Sequence, residues 1–428
     1  MKRVLIITYY WPPSGGISVL RSLKIAKYLR QFGWEPIVFT AENAHYPYYD
    51  ESGFKDIPQG INVLKQPIVE PFKIFKWLTG RKKEDSLNSI VQVRDKKQNF
   101  LDKLGIWIRG NFFIPDARSL WIKPSVRYLK KYLKENKIDA IFSDGPPHTN
   151  NRIAYHLAKD LNLPWLADFQ DPWTQADYYQ MMYITNFAHK IHSKMEQDIF
   201  RKAKKITIAS PSWKKDLESI GAKNVDVIYY GYDEDDFKDL KRDHDNNFFD
   251  IVHIGLLGID RNPEGLLETL SQIKSSRKIR IILAGQVDQQ VKKELSANKS
   301  VEVIYKGIIS RKESLQLAMN AHLLLLPLNK ADNAAGRLPG KLYEYLRTYN
   351  PILCLGKSNG DAAKIIQDCQ IGNSFEYEDL TGIKNFVETL LSQPNSIKID
   401  KSVIETFSNE NQTRKLSQYL NEIYEPQF

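Results

Sequence analysis

Cysteine is almost absent from this 428-residue chain, with only Cys354 and Cys369 present, so neither a disulfide framework nor a cysteine-based metal site is expected. A reducing, cytoplasmic setting follows. No apolar run approaches membrane-spanning length. The opening MKRVLIITYYWPPSGG has too short an apolar stretch for a signal peptide and no small-residue cleavage site, so Val4 is expected to begin a strand. The chain also lacks a G-x-G-x-x-G and a P-loop lysine. Zinc-finger spacing, RNP-like motifs and basic repeats are missing too, and nucleic acid is not an expected partner. Acidic residues are outnumbered, 51 against 61 Lys and Arg, for a net charge of +10. Anionic partners are therefore expected, either phosphates or an acidic lipid surface.

What is present is a repeated α/β pattern in a chain long enough for two or three domains. Apolar strands are predicted near residues 4–8, 36–40, 61–64, 138–143, 164–169, 205–209 and 226–230, with a helix over 17–32. The charged stretch GYDEDDFKDLKRDHDNN then reads as a linker, its Asp233 to Asp236 run a solvated domain edge rather than a metal site. The pattern restarts with strands near 249–254, 279–284, 301–305, 323–326 and 351–355, and a terminal helix spans about 405–424. The expected division is 1–235, 236–405 and a C-terminal helix over 406–428.

In parallel sheets the ligand lies beyond the carboxyl ends of the strands, where helix amides can face an anion. Several polar residues fall there. Gly340 and Lys341 open the helix after strand 323–326, and Glu344, one turn on, can offer a carboxylate to paired hydroxyls. Gly15 and Gly16 follow the first strand and would allow close approach to the backbone. DGPPHTN supplies Asp144 and His148, DFQDPW supplies Asp168 and Asp171, and Arg261 lies in the loop after strand 249–254. A histidine and carboxylates on one rim can orient hydroxyls or move a proton, and an arginine fork can hold a diphosphate. Each has a plainer alternative: helix caps, an Asp-Pro turn, a tight glycine turn, an ordinary surface arginine. Residues 71–111 mix aromatic and basic side chains, a composition suited either to an anionic membrane surface or to packing on the parent domain.

Five strings in order, YYWPPSGGISVLRSLKIAKYL, FIPDARSLW, DGPPHTNNRIAYHLAKDLNLPWLADFQDPW, YYGYDEDDF and GRLPGKLYEYL, resemble bacterial glycosyltransferase family 4 proteins of surface polysaccharide assembly. The resemblance covers nearly the whole chain. It implies the α/β GT-B architecture, with two Rossmann-like domains facing across a cleft and a C-terminal helix crossing back to the first. It further implies retaining, metal-independent transfer from a UDP- or GDP-sugar to a polysaccharide or lipid-linked saccharide, without a cofactor. Glu344 then matches the ribose-binding glutamate and Gly16 the glycine loop near the diphosphate. Arg261 falls close to the basic diphosphate position, while His148, Asp168 and Asp171 lie on the acceptor-side rim with Asp144. In this scheme Arg261 and Lys341 meet the charge that grows on the leaving diphosphate.

The chain departs from the family pattern at three places. Gly336 stands where many members have a second glutamate, Leu256 where a basic residue often follows the glycine matching Gly255, and Tyr230 where an asparagine is usual. Two other readings therefore stand beside the transferase: a non-catalytic nucleotide-sugar-binding partner in an assembly complex, and a sugar-nucleotide epimerase of the same architecture.

Overall fold

Val4, Leu5, Ile6 and Ile7 are all fully buried, and a strand covered on both faces belongs inside a parallel sheet flanked by helices. It lies there. Leu5 and Ile7 enter one core with Phe39, Trp121 and Trp165, while Val4 and Ile6 enter a second with Leu23, Phe142 and Leu420. The computed structural model describes all residues except 47, 71–99, 246, 298–299, 331–333 and 425–428. Its compact units are Met1–Tyr230 with Asn409–Phe428, and Gly231–Ser408.

The first unit carries a seven-stranded sheet of order β3-β2-β1-β4-β5-β6-β7. Its strands are β1 (Lys2–Ile7), β2 (Trp34–Ala41), β3 (Asn62–Gln66), β4 (Ala140–Gly145), β5 (Trp165–Phe169), β6 (Lys205–Ile208) and β7 (Val225–Val227). Every pairing is parallel. In the helix Ile17–Leu29 the polar Arg21, Ser22 and Lys24 are buried along with Leu23 and Ala26. Two neighbours explain this. The C-terminal helix Asn409–Ile423 packs against it, and Asp56 accepts from Lys24 Nζ at 2.7 Å and Lys27 Nζ at 3.0 Å. The same C-terminal helix is tied to the strand ends through Gln412, which accepts from the Tyr229 amide at 2.8 Å, and through Lys415, which donates to the Val227 carbonyl at 2.9 Å.

The second unit carries a six-stranded sheet of order β10-β9-β8-β11-β12-β13, again parallel throughout. Its strands are β8 (Phe248–Ile254), β9 (Lys278–Ala284), β10 (Glu302–Gly307), β11 (Leu323–Pro327), β12 (Ile352–Leu355) and β13 (Gly372–Phe375). The edge strand β13 has no apolar signature in the sequence. Pairing makes it: Gly372 sits opposite Ile352, and a Cβ there would meet the Ile352 carbonyl oxygen at 2.0 Å. The helix after β8 starts at Leu266, after Gly265 in the left-handed region with φ 75°.

The acidic run is solvated only at Glu234 and Asp235, while the Asp233 and Asp236 side chains are buried. Asp236 accepts from Arg311 Nη2 at 3.1 Å, Glu234 accepts from Arg347 Nε at 2.7 Å, and Asp233 caps the Asp235 amide at 3.0 Å. Composition could not reveal the two arginines, which come from sequence 75 and 113 residues away.

Leu420 is fully buried from the C-terminal helix. Leu420→Ala should destabilise the first unit by about 2–5 kcal/mol, read as a lowered urea midpoint by tryptophan fluorescence, and an unchanged midpoint would show that the helix is not part of this core.

Candidate functional site

In the second sheet, the order in which strands are added reverses between β8 and β11, the switch point at which open α/β sheets bind ligands. β8 is followed by Gly255, whose φ of 114° suits only glycine and whose amide donates to the Ala284 carbonyl at 2.7 Å. Beside it, a Cβ on Gly285 would lie 2.4 Å from the Gly255 oxygen. Both glycines are required by the close approach of two chain segments. Lys341 occupies the first turn of the helix Gly340–Thr348, and its Nζ lies over Gly255, 2.6 Å from where a Cβ would sit. Burial pushes the ammonium down to about 7, and the nearby Arg261 charge pushes the same way, while Glu344 opposes both.

Glu344, one turn along, is held by Arg311, whose Nη1 donates to Oε1 at 2.6 Å. Arg261 donates to its neighbour Asp260 at 3.2 and 3.3 Å. The helix itself is pinned to the strand, since the Ile254 amide donates to Tyr345 Oη at 2.9 Å. The result is a glycine floor, a desolvated ammonium, a second cation close by and an oriented carboxylate. Such a group can hold a diphosphate, with the carboxylate accepting from adjacent hydroxyls.

In the first unit the switch point lies between β1 and β4. Here the carboxylates are buried. Asp168 receives Arg21 Nε at 2.5 Å and Nη2 at 2.7 Å, and Thr207 Oγ1 at 2.6 Å. Asp144 accepts from Ser22, Gln170 and, at 3.2 Å, Thr8. Burial, with the Asp168 charge second, raises Asp144 to about 6. Gly16 caps the helix Ile17–Leu29 with φ 90° and no side-chain cap, and the Gly15 amide donates to the Tyr48 carbonyl at 2.9 Å.

Beyond the same strand ends opens a cavity of about 280 Å³, with His148, Asp171 and Trp173 on its wall together with Arg109, Arg118 and Tyr178. His148 stacks on Trp173 at 4.5 Å and 8°, and neither ring nitrogen has a hydrogen-bond partner. Burial holds its pKa down at about 3. The ring is therefore a neutral donor and acceptor and a weak base.

The model of Glycosyltransferase Family 4 matches residues 19–236. The chain belongs to this family. In fold it is similar to Anabaena HepE in complex with UDP-glucose, at 14% identity and TM-score 0.59, covering 99% of this chain and 100% of that one. A glycosyltransferase from Rickettsia africae ESF-5 is similar at 16% identity and TM-score 0.62, over 99% and 98%. The lipopolysaccharide outer core galactosyltransferase WaaB is similar at 14% and 0.56, over 99% of each. No curated protein matches. The two parallel α/β sheets are of the GT-B class.

Among the expected residues of this family 4 chain, the second unit gathers Lys341, Gly340, Glu344 and Arg261. The first unit brings His148 and Asp171 to the cavity, whereas Asp144 and Asp168 are not on its wall and spend their oxygens on the Arg21 network. Sequence reasoning missed Arg21, Arg311, Arg109 and Arg118. A signal existed for Arg118, inside FIPDARSLW. Arg109 falls in residues 71–111, expected either to meet an anionic membrane or to pack on the parent domain; 71–99 lie outside the described residues, and Arg109, on the helix Phe100–Phe112, lines the cavity.

Asp168→Ala would leave the Arg21 guanidinium buried without its anion. A loss of about 3–5 kcal/mol is expected, measured by chemical denaturation, and a loss under about 1 kcal/mol would mean that water or another acceptor replaces the carboxylate.

Proposed function

We propose that the protein transfers a sugar from a UDP- or GDP-sugar to a saccharide or lipid-linked saccharide, with retention and without a divalent metal, in surface polysaccharide synthesis. The observation that carries this reading is the Lys341 ammonium over Gly255 at the switch point of the second sheet. A lysine held largely desolvated beside another cation gains most from a ligand that brings negative charge. A nucleoside diphosphate does so. Its phosphates would lie along Gly255 and the first turn of the helix Gly340–Thr348, with Glu344 accepting from the ribose hydroxyls and Arg311 keeping that carboxylate in place. Structures of HepE with UDP and with UDP-glucose support a donor of this class.

As the glycosidic bond to the diphosphate breaks, negative charge grows on the leaving oxygen, and Lys341, Arg261 and the helix dipole stabilise it. The acceptor hydroxyl attacks on the face being vacated and passes its proton to a phosphate oxygen. The first unit's cavity is the acceptor side in this reading, with neutral His148 orienting hydroxyls. Contact of residues 71–111 with an anionic membrane belongs to the same proposal.

Calorimetry of the full chain with UDP, GDP and their sugar conjugates tests it. Selective binding of one nucleotide is expected, weakened on the order of tenfold or more in Glu344→Ala, and unchanged affinity in that folded variant would remove Glu344 from the donor site.

Lys341 also makes binding depend on pH. An anionic ligand raises its pKa above the free value of about 7. Affinity should therefore be greatest below pH 7, fall as pH rises between the free and bound values, and level off above them. Calorimetry at pH 8 in buffers of different ionisation enthalpy should show proton uptake, absent in Lys341→Met. Uptake that persists in the variant would assign the proton elsewhere.

A further inference from the structure

The cavity of the first unit holds a positive charge that no described residue pairs with. Arg109 reaches it from the helix Phe100–Phe112 and forms no ion pair or hydrogen bond among the described residues. Burial lowers its pKa, the neighbouring Arg118 charge adds to the effect, and the Asp116 charge opposes both without reaching ion-pair distance. Arg118 has an anion within ion-pair reach, its Nε lying 3.5 Å from Glu70 without a hydrogen bond, and its guanidinium lies 4.7 Å from the Tyr9 ring centre. Asp116 is also engaged, accepting from the Thr149 amide at 2.8 Å, Thr149 Oγ1 at 2.9 Å and the Arg118 amide at 2.9 Å.

A second observation points into the same space. His148 is 4% exposed, and both its ring nitrogens are buried without partners. Two unmet polar groups of this kind are costly unless something enters to meet them. Trp173 holds the imidazole plane by stacking, so its nitrogens are fixed in direction. Asp171, also on the wall, adds to burial in raising the pKa of Tyr178 and Tyr230. The cavity therefore carries an Arg109 fork with no ion-pair partner among the described residues, Asp116 on the same wall acting on it only through space, and a second carboxylate at Asp171. Its volume, about 280 Å³, is near the lower end for small-molecule pockets, ~300 Å³, and suits one ring with a substituent.

We propose that this cavity binds a saccharide bearing an anionic substituent, a carboxylate or a phosphate, with the Arg109 fork on the anion and His148 and Asp171 on hydroxyls, an inference that rests on the reading of the first unit as the acceptor side. A neutral sugar would leave Arg109 desolvated and unmatched. An anion meets it through paired, charge-assisted hydrogen bonds.

The test uses the full chain and three probes: methyl β-D-glucuronide, glucose 6-phosphate and neutral methyl β-D-glucoside, titrated by saturation-transfer NMR. At least one anionic probe should bind on the order of tenfold more tightly than the glucoside, and the better of the two names the anion. Arg109→Met should abolish the preference and Arg109→Lys should retain part of it, with circular dichroism confirming that both fold. Equal binding of all three probes, or a preference that survives in folded Arg109→Met, overturns the proposal. Calorimetry with UDP and with GDP runs in parallel and should be unaffected by Arg109→Met. Binding of either nucleotide without an anion preference overturns this inference alone. An anion preference with no binding of UDP or GDP supports the cavity and overturns the donor reading.

Discussion

The first unit depends on one buried ion pair, Arg21 with Asp168, shielded from solvent at 2% and 0% side-chain exposure. Removing two charges from water is costly, and the cost is recovered only when geometry is good and the remaining lone pairs are used. Both conditions hold. The contact is bidentate, Thr207 fills a further site on Asp168, and Arg21 also donates to the Tyr229 carbonyl at 3.3 Å. One side chain thus joins the first helix to β5, to β6 through Thr207, and to the chain after β7. Asp144 extends the network to β4 through Gln170, which in turn accepts from Tyr230 Oη at 3.1 Å. The cavity walls stand on this frame, and its functional residues keep their positions because carboxylates that do not face the cavity are fully occupied.

The second unit depends on a different constraint, the close approach of backbones at Gly255 and Gly285. With no side chains in the way, the strand ends come near enough for a lysine from another element to lie across them. The charge stays poorly solvated. Arg311 does for Glu344 what Arg21 does for Asp168, but here the carboxylate remains partly open, at 20% side-chain exposure against none for Asp168. That difference separates a residue placed to meet a ligand from one that holds the fold.

Much of the strand pattern was legible, because strands buried on both faces are written as unbroken apolar runs such as Leu323 to Leu326. The edge strand β13 was not, since it exists through pairing with β12 and carries no apolar alternation of its own. Motif residues after strand ends were legible as a set, yet their roles were not. Asp168 and Asp171 are three residues apart in one loop motif, and only packing shows that the first is bound to Arg21 while the second reaches the cavity. The acidic run at 233–236 looked solvated because its partners Arg311 and Arg347 are distant in sequence.

The sequence by itself determined the α/β class, the strands and the resemblance to Glycosyltransferase Family 4, since these rest on local periodicity and on strings of neighbouring residues. Tertiary structure alone decided which charges are matched. Pairing is a property of space, and Arg21 with Asp168, Arg311 with Glu344, Lys341 over Gly255 and Arg109 in its cavity each depend on segments that the chain brings together only on folding.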